Sequence, residues 1–166
     1  MVTIRSRHVG NYYLNSKNMD TVFVSFDYTN DKHYKYLLEA WHANPKFRFS
    51  FDDGTPTEID STNVGRIKAA LTLKIKGATH TLVIVGKQAN QRHWKSDLIG
   101  HKNWINFEIN RSIQEGRRLA VVRLDRSYDL PEELSGGQYS LVEGFSEANV
   151  MQALNTAPYQ RVNRYA

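Results

Sequence analysis

The stretch Thr81-Leu82-Val83-Ile84-Val85 constrains this chain more than any other. It is apolar throughout and mostly β-branched, and Gly86-Lys87 ends it, so it reads as a strand with no face left for water. Such a strand must be covered on both sides, which places it centrally in a parallel sheet between two helical layers. The flanking sequence agrees. Thr21 to Phe26 is a second apolar run, broken by Asp27-Tyr28-Thr29-Asn30-Asp31, which is rich in helix-starting residues. Tyr34, Leu37, Leu38 and Trp41 follow at helical spacing, up to Asn44-Pro45. Phe47 to Phe51 alternates aromatic and polar residues, as a strand nearer the sheet edge does.

A second helix carries Val64, Ile67, Leu71 and Ile75 on one stripe, with Gly77 as its expected cap. Residues 88–103 form a long polar loop containing Trp94; a third helix runs from Trp104 to Gln114, and Leu119 to Leu124 is a fourth strand. Beyond Asp125 the pattern weakens to a helical turn near Pro131–Leu134 and a short helix over Glu147–Leu154. The β-α-β-α-β-α-β order predicts an open parallel sheet with helices on both faces. In such sheets ligands bind beyond the carboxyl ends of the strands. That singles out Phe26 to Asp31, Asp52 to Thr57, Gly86 to Asn103 and the turn after Leu124.

At 166 residues the chain is one ordinary domain, without repeats or low-complexity linkers. It has no cysteine, which excludes disulfides, thiolate metal sites and cysteine nucleophiles and fits a reducing cytosol. No apolar run is long enough to span a membrane, and the first residues lack the apolar core of a secretory signal. The net charge of +5 comes from scattered lysines and arginines, so neither a nucleic-acid nor a membrane partner is expected. Gly-x-Gly-x-x-Gly, Walker A and Gly-x-Ser-x-Gly motifs are all missing. The six histidines show no metal-ligand spacing, so no metal is expected.

The segment that carries chemistry is Trp104-Ile105-Asn106-Phe107-Glu108-Ile109. At ~100° per residue, Ile105, Ile109 and Ile113 form the stripe facing the sheet. Trp104 and Glu108 stand one turn apart beside it, placing the carboxylate between core and cleft, partly desolvated. The plainer alternative is a solvated glutamate paired with Arg111.

These pieces together resemble a TIR-like domain, and in particular the bacterial TIR proteins of Thoeris anti-phage systems. The resemblance rests on Ser25-Phe26 ending the first strand and on Val83-Ile84-Val85-Gly86. It rests further on Trp104-x-x-x-Glu108-Ile109 and on Ser112-Ile113-x-x-Gly116, and it covers roughly residues 21–125. It implies a flavodoxin-like single domain over 21–156, with an extension over 1–20 and a tail over 157–166. The long loop before Trp104 and the first twenty residues depart from the minimal family pattern.

The resemblance also implies an activity, cleavage of the nicotinamide–ribose bond of NAD+, with Glu108 as the essential residue. Nicotinamide leaves uncharged from a cationic ring, so no general acid is required. The ribose develops oxocarbenium character that one anion stabilises. Trp104 or Phe26 is placed to stack on a flat ring. Asp27, Asp53 and Lys87, at the ligand edge, are candidates for contact with ribose or phosphate. NAD+ is the substrate and no resident cofactor is implied. The product is linear, cyclic or conjugated ADP-ribose, read by a separate receptor after a phage trigger. Self-association is implied as well, with the Asp52 to Asp60 loop of a neighbouring copy completing the site. Three readings compete: a non-catalytic TIR interaction module, a nucleoside deoxyribosyltransferase, and a receiver-like phospho-acceptor domain that would use Asp27 and Asp53.

Overall fold

The computed structural model describes residues 20–44, 49–53 and 62–161. Five strands lie in one sheet: β1 Asp20–Ser25, β2 Phe49–Asp53, β3 His80–Val85, β4 Arg118–Arg123 and β5 Tyr139–Glu143. Their spatial order is β2-β1-β3-β4-β5, and every neighbouring pair is parallel. The apolar β3 is the middle strand, with all six of its residues buried, and β2 is an edge strand. The helices are α1 Tyr28–His42, α2 Val64–Gly77, the short α3 Ser96–Ile99, α4 Trp104–Gln114 and α5 Glu147–Thr156.

Strand alternation sorts the core into two layers. Val22, Val24, Leu82, Ile84, Ala120 and Val122 face α1 and α5. Phe23 packs with α2 and Phe107, while Val83, Val85, Leu119 and Val121 pack with Ile105 and Ile109 of α4. Side-chain caps fix the helix starts. Asp27 accepts from the amides of Thr29 and Asn30, Asn63 from Arg66, and Asn103 from Asn106. After α4, Gly116 adopts φ +70°, the left-handed conformation that terminates the helix.

Three features differ from the sequence reading. The second strand covers 49–53 rather than 47–51; residues 45–48 lie outside the described residues. The 88–103 loop contains the helical turn α3. A fifth strand, β5, pairs in register with β4 where the sequence signal had faded. Ala157 and Gln160 are buried, and the Gln160 amide bridges the backbones of Gln138 and Arg117.

The chain leaving β3 passes close against α1. A Cβ on Gly86 would stand 2.1 Å from an oxygen of the buried Asp31 carboxyl in α1. Replacing Gly86 with Ala therefore displaces the buried Asp31 carboxyl or the helix that carries it, and we expect a loss of about 2 kcal/mol in chemical denaturation. An unchanged midpoint would show that the Asp31 carboxyl re-orients without cost.

Candidate active site

The site grows out of the way α4 is wedged into the fold. Its Ile105 and Ile109 pack on one cluster beneath the sheet and its Phe107 on another, so nearly the whole first half of the helix is buried. Glu108 sits between those contacts and is only 3% exposed. This is deeper than the border position the helical spacing predicted. The pairing with Arg111 does not form; Arg111 contacts Glu115 instead, at 3.8 Å.

The partner of Glu108 is Ser25, the last residue of β1, whose fully buried hydroxyl donates to the carboxyl Oε2. Burial pushes the Glu108 carboxyl up to about 8, with the Ser25 hydrogen bond pulling weakly the other way. At neutral pH the group is therefore mainly protonated when no ligand is bound.

Beside this buried pair opens a cleft of about 450 Å³ at the carboxyl ends of the strands. It is lined by residues 26–30 after β1, by 88 and 91–93 from the loop after β3, and by 103–105 at the start of α4. The size suits a ligand of nucleotide dimensions. Phe26 and Trp104, the two stacking candidates, both line it. Phe26 is mostly buried against Tyr28, and Trp104 is half-buried, edge-on to Phe107 at 5.9 Å. Asp27 lines it too, but both its oxygens are already engaged, by the Thr29 and Asn30 amides and the Asn30 side chain. Lys87 is exposed and outside the lining. Asp53 ends β2 opposite Val24, and its side chain lies outside the described residues.

The sequence singled out the Gly86 to Asn103 loop at the ligand edge but not, within it, Gln88, Gln91, Arg92 and His93, which form one wall of the cleft. Their loop is fastened. The Asn103 side-chain amide donates to the carbonyls of Ala89 and Gln91, and the His93 amide donates to the carbonyl of Lys102. Asn90 accepts from the Asn106 side chain and from the Glu132 amide, tying the loop to α4 and to the 3-10 turn Glu132–Gly136. The carboxyl-end rule and the loop's length both pointed to this segment, but nothing local told which of its side chains face the cleft.

An all-parallel sheet of this order, with a buried glutamate on α4 beside the strand-end cleft, defines a TIR-like α/β domain. The chain belongs to the family described as Thoeris protein ThsB, TIR-like domain, which it matches over residues 23–129. Several solved structures share the fold, and two serve as examples. One is a 2-deoxyribosyltransferase from Bacillus psychrosaccharolyticus, 13% identical, covering 86% of this chain and 98% of its own at a TM-score of 0.50. The other is a prokaryotic SEFIR domain, 17% identical, covering 82% and 94% at a TM-score of 0.50. No curated protein matches the chain. Among the described residues no helix is long and apolar enough to cross a membrane.

Proposed function

We propose that this protein cleaves the nicotinamide–ribose bond of NAD+ and releases an ADP-ribose-derived signal in anti-phage defence. The observation that carries the reading is Glu108, a buried carboxyl one helical turn below Trp104 and Ile105, which line the cleft. The C1′–N bond breaks heterolytically, and its electron pair neutralises the pyridinium nitrogen, so nicotinamide departs uncharged. The positive charge moves to the ribose oxocarbenium. An ionised Glu108 in a water-poor setting stabilises that charge far better than it would in bulk water. The cationic nicotinamide ring itself favours ionisation of the carboxyl as the substrate binds. Water then adds at C1′, losing a proton, to give ADP-ribose; an internal hydroxyl or base gives a cyclic product.

The carboxyl is turned toward Ser25 and sealed from solvent in this conformation. We read it as a resting form, in which Glu108 meets substrate only after the residues around Ser25 and Trp104 rearrange. Association with further copies of the chain, implied by the family, supplies a natural trigger. A separate receptor then reads the product.

Chromatography of NAD+ incubations over a series of protein concentrations tests this. Nicotinamide should appear in equal amount with ADP-ribose or its cyclic form, at a specific rate that rises with protein concentration. Release of free base from deoxynucleosides with NAD+ untouched would replace the reading with a deoxyribosyltransferase. No turnover of either, under all conditions including extracts of infected cells, would leave an interaction module.

A further inference from the structure

The two walls of the cleft differ in polarity. On the side built by β1 and α1, the charged group is the Asp27 carboxylate, which already accepts from the Thr29 and Asn30 amides at the start of α1. On the opposite side stand Arg92 and His93. Arg92 is exposed and gives one guanidinium nitrogen to the Ser96 hydroxyl at 3.0 Å. It forms no ion pair among the described residues, so its remaining N–H groups are open to a ligand.

His93 is held in one tautomer. Its Nδ1 accepts the backbone N–H of Lys95 at 2.9 Å, which requires a lone pair on that nitrogen. Burial and the neighbouring Lys95 depress its pKa, so the ring is neutral and carries its proton on Nε2. That N–H is the one polar group the ring has left for the cleft. Trp94, 83% exposed, stacks on the outer side of the ring with centroids 5.9 Å apart, and Lys95 covers the indole at 4.6 Å. The exposed tryptophan thus braces the histidine, and the loop's hydrogen bonds to Asn103 and Asn106 hold both in place before any ligand arrives.

We infer that Arg92 and His93 form the pyrophosphate subsite of the cleft and fix the direction in which a dinucleotide binds. The anionic bridge lies on the Arg92 wall. The cationic nicotinamide end is directed to the Asp27, Phe26 and Trp104 side, next to Glu108. This rests on the NAD+ reading for the identity of the dinucleotide, while the subsite itself is an anion site of two donors from one fastened loop. A guanidinium and an imidazole N–H suit a pyrophosphate, since both donate and neither accepts.

The test is titration calorimetry of the full chain with ADP-ribose, and separately with inorganic pyrophosphate, alongside NAD+ turnover. Arg92→Ala should weaken ADP-ribose binding by about tenfold, the scale of one lost charge-assisted hydrogen bond, and raise the KM for NAD+ far more than it lowers kcat. His93→Ala should weaken binding less, and His93→Gln, which keeps a donor, should recover part of the loss. Glu108→Gln is the control: under the proposed mechanism it lowers turnover by about a hundredfold or more and leaves ADP-ribose binding in place. Binding that falls in Arg92→Ala while no form cleaves NAD+ keeps the subsite and removes the NAD+ reaction. Absent binding by the wild type, or equal binding by Arg92→Ala and the wild type, overturns the subsite whatever the turnover shows.

Discussion

Glu108→Gln should lower NAD+ turnover by about a hundredfold or more, the equivalent of roughly 3 kcal/mol in the barrier. Gln preserves the volume and can still pair with the Ser25 hydroxyl, so the fold stays intact and the lost quantity is the anion. The pH profile gives the same result a second signature. The carboxyl of the free protein is pushed up to about 8, so only a minor fraction is ionised at neutral pH. If the ionised form acts, kcat/KM rises with pH and levels off above that value. The kcat profile turns at a lower pH, because the bound pyridinium favours the anion. Equal turnover by Glu108→Gln and the wild type would end the catalytic reading. A profile that falls across this range would assign Glu108 a role in its protonated form.

How much of this was legible depends on the range of the forces involved. The strands β1, β3 and β4 and the helices α2 and α4 are written in local periodicity, and the sequence pattern places them within a few residues. Glu108 was legible as a position on α4 beside a buried stripe, but its depth was not. Asn106, Phe107 and Ser112 are buried because other parts of the chain cover the remaining faces of α4. Asn106 is met by Asn90 and by the Glu133 amide; Ser112 is met by Thr81 of β3. These contacts join residues far apart in the chain and leave no local pattern.

The fifth strand escaped for a related reason. β5 is an edge strand whose Leu141 is 39% exposed and whose Tyr139 and Ser140 are only half-buried, so its apolar signal is weak. Its place is fixed by pairing with β4 and by the packing of Val142 in the layer under α5. The wall formed by Arg92 and His93 is likewise a product of hydrogen bonds from Asn103 and Asn106, which no periodicity announces.

Stability should fall as the solution is made alkaline, against the usual trend for carboxylates. Glu108 titrates near 4.5 when exposed and near 8 in the fold; Asp31, buried by α1 against Gly86 and facing the Asp27 charge, moves from 3.8 to about 6. Between each pair of values the folded protein holds a proton that the unfolded chain has released. The unfolded state is therefore favoured as pH rises. Each group contributes stability that is fully present below its unfolded value and gone above its folded one. Below about pH 6.5 the buried His80 and the half-buried His93 oppose this. Burial lowers both, so they lose stability as the solution turns acid. Above about pH 7.5 Asp31 has finished titrating and the histidines are neutral in both states, which leaves Glu108 alone. Between pH 7.5 and 9 the free energy of unfolding should drop by about 0.8 kcal/mol, at up to about 1 kcal/mol per pH unit. Denaturant melts of the wild type and Glu108→Gln across that range decide the matter. The variant should show a nearly flat profile and exceed the wild type in stability at pH 9. Parallel profiles would mean that the carboxyl is ionised in the resting fold and that its burial beside Ser25 is lost in solution.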